Sequence, residues 1–275
     1  MALGQRPAGT EPGYPAGYGN GYGQARQPRH PRARRWARNL AILTGALVSI
    51  VGIAFGALWV LTPSVSNAPQ LASDMARDHH GVYPGPPVPY RFAAALEATE
   101  DHRFGSEPGV DPFAVLRVAK NWLTGGPDGG GATLYQQLAK MLYTHGSSAG
   151  ITTEAKQIGL AIKLSMTYTP AQVLQMYADV AYYGNNDYGL AAASCGYFGI
   201  TPDKLSWPKA ALLAGLVQGP SIDDPLTHPG RARAREEHVI GRLVATGTLT
   251  QAQAGHYLTW PIASLVARAG HGRNC

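Results

Sequence analysis

The chain has 275 residues, 45% of them hydrophobic and 15% charged, with 34 glycines, 21 prolines and two cysteines, Cys195 and Cys275, 80 positions apart. That suits one ordinary domain with non-globular additions, and it excludes a small disulfide scaffold and a CxxC metal knuckle. The formal charge of +6 sits in residues 1–39, which hold seven arginines and one acid; residues 40–275 hold 16 basic and 16 acidic side chains, so no nucleic-acid partner is expected.

Residues 1–38 consist largely of Gly, Pro, Tyr, Gln and Arg, with the near-repeat GYPAGYGNGYG and almost no aliphatic residue to seed a core. They read as a disordered tail. Leu40 to Leu61 then run 22 residues without a charge, enough to cross a bilayer core of about 30 Å as a helix, so 39–62 is expected to be a transmembrane segment. Arg26, Arg29, Arg32, Arg34, Arg35 and Arg38 precede it, and Trp36 and Trp59 lie near its ends. This pattern puts the tail in the cytoplasm and the rest outside, a single-pass protein of the cell membrane. A cleaved signal peptide usually has a shorter apolar region, and a buried core helix would not normally carry six flanking arginines. Residues 63–90 are polar and proline-rich and read as an extracytoplasmic linker, a stalk or surface strand rather than a helix.

From Arg91 on, helix-start signals recur: Asp111 before Pro112, Thr133 before LYQQ, Thr169 before Pro170, Ser206 before Trp207 and Pro208, and Thr250 before QAQA. The periodic segments predict helices over 91–103, 112–123, 134–143, 153–167, 170–182, 188–197, 207–217, 231–246 and 250–257. Alternating β-branched runs are nearly absent, so residues 91–260 are expected to form a mostly α domain, with 261–275 as a C-terminal tail.

Three segments could carry chemistry. In ALEATEDHRF, Glu100 and Asp101 adjoin the apolar positions Leu96 and Phe104. An inward-facing carboxylate with a raised pKa suits a general base, whereas a surface helix end with a Glu100–Arg103 pair is the commoner use of such spacing. In GGGATLYQQLAK, Thr133 and Gln136 form a capping box that explains both residues, leaving Gln137 and Lys140 one turn apart beside a helix N-terminus suited to an anion. The glycine run lacks the GK[ST] ending of a phosphate-binding P-loop. In residues 176–199, Asn185 and Asn186 mark a turn, and the tyrosines fit either a core or a carbohydrate-facing rim. The nine histidines show no zinc spacing. Cys195 is expected to pack as a small apolar side chain and Cys275 to be free.

In this order the segments resemble the peptidoglycan glycosyltransferase domain of monofunctional transglycosylases and of the N-terminal part of bifunctional penicillin-binding proteins. The family's E-D-x-x-F is matched by Glu100, Asp101 and Phe104. Its G-[GA]-S-T-x-x-Q-Q-x-x-K is matched by Gly130, Gly131, Thr133, Gln136, Gln137 and Lys140. Tyr177, Tyr182, Tyr183 and Gly184, then Tyr197, Phe198 and Gly199, match its Y-L-N-x-x-[YF]-[FY]-G and Y-F-G, and Ala211–Pro220 match its A-x-L-A-x-x-x-x-x-P. The likeness covers about residues 85–250. It implies a lysozyme-like α domain with a small membrane-associated jaw subdomain around 112–128, and no transpeptidase domain is expected after Cys275.

The departures are specific. Glu107 stands where the family has His, Ala132 where it has Ser, and Asp179 at the Asn of Y-L-N. The family's R-K-x-x-E falls on Thr153, Glu154, Ala155, Lys156 and Gln157, which puts an amide at the second glutamate and removes the paired cations.

The resemblance implies polymerisation of lipid II with release of undecaprenyl pyrophosphate. Glu100 would be the base and Asp101 its catalytic neighbour, and Thr133, Gln136, Gln137, Lys140, Lys156 and Gln157 would contact substrate. A divalent metal ion, Mg or Mn, is an admissible cofactor with unknown ligands. Lys156 and Lys163, seven apart, are the substitute cations, with solvent the default environment. The implied partners are lipid II, the growing glycan strand, membrane lipid, and a transpeptidase or other wall-synthesis protein. Two other functions are open: a catalytically silent lipid II or glycan-binding scaffold, suggested by Gln157, and a lysozyme-like hydrolase, disfavoured by the anchor and the lack of a second acid.

Overall fold

The computed structural model describes residues 31–111, 124, 132–146, 150–266 and 275. The expected tail over 1–30, and the helix and jaw expected over 112–128 apart from Thr124, lie outside them. The chain divides into two units, Met1–Gly52 and Ile53–Cys275, and the packing below belongs to the second.

Helix α1 spans Pro31–Leu61. It begins eight positions before the expected boundary at 39, because Pro31 is tolerated in a first turn and the Ala/Arg-rich run after it forms helix readily. Among the described residues, Arg35–Leu61 is the one stretch long and apolar enough to cross a membrane, and none of its most apolar window is buried.

The linker expectation for 63–90 needs correcting. Helix α2 occupies Ala68–Asp78 and buries Ala68, Ala72 and Ala76, a stripe at i, i+4 and i+8 that packs against later helices. Alanine carries little hydrophobic signal, so the stripe is inconspicuous beside the flanking polar residues. The second half of the segment is tied down too. Gly85 N–H donates to Asp179 Oδ2 (2.8 Å) and Val88 N–H donates to Gln175 Oε1 (3.3 Å).

Helix α3 is Tyr90–Glu100, α4 Leu134–Thr144, α5 Ile151–Thr167, α6 Pro170–Val180 and α7 Leu190–Phe198. After a short 3₁₀ turn at Pro202–Lys204 come α8 (Trp207–Leu216), α9 (Pro229–Ala245), α10 (Gln251–Tyr257) and α11 (Ile262–Leu265). Among the described residues there is no strand, only an isolated bridge between Tyr182 and Tyr188. The domain is mostly α, as expected. The threonine start signals hold to the atom: Thr133, Thr169 and Thr250 each form a complete capping box with Gln136, Gln172 and Gln253. Ser206 occupies the N-cap of α8 without a side-chain cap.

Two packing groups position the site. After Lys209 in its first turn α8 is apolar on every side, and it lies buried against α3 and α9. α4 packs against α5, α6 and α2. The end of α3 and the start of α4 join the groups. The C-terminal segment is not a plain tail: Ile262 and Leu265 enter the core, and Cys275 is disulfide-bonded to Cys195 on α7, correcting the expectation of a free terminal thiol. Sequence alone cannot measure a separation across 80 positions.

Candidate active site at the α3–α4 junction

Glu100 is the last residue of α3 and is half-buried. Gln137, in the first turn of α4, donates from Nε2 to Glu100 Oε2 (3.0 Å) and to the Ala132 carbonyl (3.3 Å), while its Oε1 accepts from the Tyr177 hydroxyl (2.8 Å) on α6. A phenol that donates and a carboxylate that accepts fix which way the amide points. Tyr177 is buried, and burial followed by the nearby Glu100 charge raises its pKa, so it remains a donor.

Asp101 is the inward member of the acidic pair. It is 7% exposed, and Oδ2 accepts from Leu134 N–H (3.0 Å), the first residue of α4. Thr133 is buried; its Oγ1 donates to the Gly109 carbonyl (2.7 Å) and accepts from Gln136 N–H (3.2 Å), and Gln136 Oε1 accepts from Thr133 N–H (2.9 Å). Two free N–H groups at the start of α4 are thereby taken by the protein's own side chains, one of them acidic. The anion site expected at this helix terminus is therefore already occupied from within.

Glu107 was not among the expected site residues. It is 9% exposed and faces the Asp101 carboxyl, which can accept a hydrogen bond from it when Glu107 is protonated. Burial, then the neighbouring Asp101 charge, pushes it up to about 7; burial also raises Asp101 despite the Leu134 N–H. Arg103 pairs with Asp111 across the same loop, rather than forming the helix-surface pair with Glu100.

The expected cations do not converge. Lys140 is half-buried on α4, one turn after Gln137, and Lys156 is exposed on α5. Lys163 faces neither cleft nor solvent: it is buried, and its ammonium donates to main-chain carbonyls at the end of α1. Gln157 is buried and donates from Nε2 to Thr144 Oγ1 (2.8 Å), which donates to the Lys140 carbonyl (3.0 Å). Glu100, Asp101, Thr133, Gln136 and Gln137 are thus brought together, whereas Gln157 sits at the far end of α4 and Lys156 is on the surface. Among the described residues no three His, Cys, Asp or Glu side chains are placed to hold a metal. With an amide at 157, the described residues do not by themselves make a Mg or Mn site.

The later segments support the site from behind. Asn185 and Asn186 both take positive φ in the expected turn. A Cβ on Gly184 would lie 2.5 Å from the Pro220 carbonyl oxygen and 2.8 Å from the Tyr197 hydroxyl, so the glycine lets two distant segments touch. Tyr183 and Tyr197 are core rather than carbohydrate-facing rim; Tyr182 and Tyr188 are half-buried, and Tyr188 stacks on His79.

A mostly helical domain behind an apolar helix, with one half-buried carboxylate held at a helix junction, defines the class. The family model described as Transglycosylase matches residues 70–244, and the chain belongs to that family. Penicillin-binding protein 1A of Streptococcus oralis is 31% identical over 71% of this chain and 31% of its own length. Penicillin-binding protein 1A of Mycobacterium tuberculosis (strain ATCC 25618 / H37Rv) is 37% identical over 59% of this chain and 20% of its own length. The chain spans about a third or less of the length of these curated relatives. The crystal structure of Penicillin-Binding Protein 1A from Haemophilus influenzae aligns over 36% of this chain and 15% of that chain, with 28% identity and a TM-score of 0.34.

Proposed function

We propose that the chain is a membrane-anchored peptidoglycan glycosyltransferase that joins lipid II units into glycan strands. The observation that carries this reading is the Tyr177–Gln137–Glu100 relay, which orients a half-buried carboxylate using residues from three helices of a transglycosylase domain. Glu100 takes the proton of the acceptor's 4-hydroxyl as that oxygen bonds to the donor's anomeric carbon. The bond from that carbon to the pyrophosphate oxygen breaks, and undecaprenyl pyrophosphate leaves with the electron pair. Gln137 occupies one carboxylate oxygen and leaves the other for the hydroxyl. Asp101, Thr133 and Gln136 serve by fixing α4, and Lys140, one turn after Gln137, is the cation assigned to the leaving group.

The apolar stretch of α1 and the arginines before it support a single-pass anchor with the N-terminus cytoplasmic. The Cys195–Cys275 bridge suits an extracytoplasmic, oxidising location for the domain. The partners in this reading are lipid II, the growing strand, membrane lipid, and a transpeptidase or other wall-synthesis protein.

One observation favours a second reading, a silent scaffold that binds lipid II or glycan: position 157 carries an amide that is hydrogen-bonded within the fold. Labelled lipid II incubated with the detergent-solubilised full chain, with and without divalent metal and beside Glu100→Gln, separates the two. Polymer that disappears in the variant supports the transferase. Binding without polymer from the unaltered chain supports the scaffold.

A further inference from the structure

We infer that Gly159 and Lys163 of α5 form a socket for the last turn of α1, and that Lys163 is a positioning residue linking that turn through α5 to α4. The catalytic consequence rests on the transferase reading above; the socket does not. Lys163 is 9% exposed, and its Nζ donates to the carbonyls of Trp59 (2.8 Å), Thr62 (2.6 Å) and Pro63 (3.2 Å). An ammonium has three N–H groups, so all are used. The acceptors lie where a helix leaves its last carbonyls unpaired and its dipole is negative, which is where a cation is most stabilised. The charge also lies 5.0 Å from the centroid of the Trp59 ring.

Gly159 is one turn earlier on the same face of α5. A Cβ there would stand 2.9 Å from both Leu58 Cγ and Thr62 Cγ2, so the absence of a side chain is what lets the two helices approach. The fastening continues along the chain. The Tyr168 hydroxyl donates to the Val65 carbonyl (2.8 Å), and the Tyr143 hydroxyl, on α4, donates to Asn67 Oδ1 (3.0 Å). Residues 58–67 are therefore not a loose tether.

α5 carries this constraint towards the site. Two turns before Lys163, Gln157 holds Thr144, which holds the Lys140 carbonyl of α4, and α4 bears the Gln137 that holds Glu100. A lipid-linked substrate is confined to the bilayer surface, so a carboxylate on a firmly seated domain meets it at a fixed depth.

The test is peptide-level hydrogen exchange on the full chain in phospholipid vesicles, comparing the unaltered protein with Lys163→Met, Lys163→Arg and Gly159→Ala, with lipid II turnover measured in parallel. In Lys163→Met, exchange over residues 58–67 rises about tenfold or more, and a smaller rise reaches 134–144, while α8 stays protected. Lys163→Arg, which can donate to the same carbonyls, stays within about threefold of the unaltered chain. Gly159→Ala, with the lysine intact, loosens the same residues and serves if Lys163→Met does not fold. Unchanged exchange over 58–67 in Lys163→Met and Gly159→Ala overturns the socket. A rise there with none over 134–144 overturns the link to α4. In an active protein, kcat falls with KM little changed in Lys163→Met and recovers in Lys163→Arg; unchanged kcat overturns the positioning role. An inactive unaltered chain sinks the transferase reading, and the exchange results still decide the socket and the link.

Discussion

Gln137 Nε2 lies 3.0 Å from Glu100 Oε2, joining the first turn of one helix to the last residue of another across 37 positions of sequence. The bond is directional because Tyr177 donates to the other end of the same amide. Removing either partner frees the carboxylate to rotate. Gln137→Ala is expected to lower kcat about 10- to 100-fold with KM within about threefold, and Tyr177→Phe to lower it less, since orientation rather than binding is lost. Steady-state polymerisation checks this; a rise in KM at unchanged kcat would show that the relay binds substrate instead.

Asp101 and Leu134 make the second tie between the same helices. Asp101→Ala leaves the Leu134 N–H buried without an acceptor and should destabilise the domain by about 1–3 kcal/mol, whereas Asp101→Asn keeps an acceptor and should cost less. Denaturant midpoints of the two variants decide it, and equal losses would count against a capping role.

Glu107 makes stability fall as pH rises. Its carboxyl is pushed up to about 7 in the folded chain from an ordinary 4.5, so the folded state holds an extra proton between those values. The contribution is complete below about pH 4.5 and is lost as pH rises through 7. Glu107→Gln removes this dependence: near pH 5 it should match the unaltered chain, and at pH 8 it should be more stable by on the order of 1–2 kcal/mol. Unfolding measured at both pH values tests the sign, and a variant that gains stability only at acid pH contradicts it.

Reduction should weaken the domain. The Cys195–Cys275 bridge closes 80 positions of chain, and loss of such a loop constraint costs up to about 4 kcal/mol. Alkylation before reduction should modify no cysteine, and Cys195→Ser should lower Tm by several degrees. Two reactive thiols in protein isolated under oxidising conditions would remove the bridge.

Gln157→Glu tests the scaffold reading. A carboxylate must accept from the Thr144 hydroxyl, drawing it from the Lys140 carbonyl. If the amide limits an otherwise competent site, glycan synthesis rises in the variant; unchanged or lower synthesis removes position 157 as the limit.

The start of α4 was legible in the sequence because capping is local: Thr133 and Gln136 are three residues apart and satisfy each other. The same holds for the turn at Asn185 and Asn186 and for the apolar run Ala210–Leu216 of α8. The relay was only half legible. Glu100 and Gln137 stood out in their segments, but residue 177 lies 40 positions from 137, and no spacing rule connects them. The pair Glu100–Asp101 concealed its division of labour, since which carboxylate turns inward depends on where α4 begins. From sequence Lys163 reads as a surface or cleft cation because a buried lysine is rare, and its acceptors are main-chain carbonyls that carry no sequence signature. α2 escaped because its buried stripe is alanine.

The burial of α8 from Ala210 to Leu216 has a consequence for how the protein is made. Apart from Lys209 in its first turn, WPKAALLAGL has nothing polar to turn towards water, and one of its two main covers, α9, is encoded after it and emerges later. Until α9 arrives, a sticky ten-residue segment is exposed at the edge of an unfinished domain. Substitutions that weaken the buried face of α9, such as Val239→Ala or Ile240→Ala, should therefore reduce soluble yield and proteolytic survival in the cell more than their effect on the finished fold suggests.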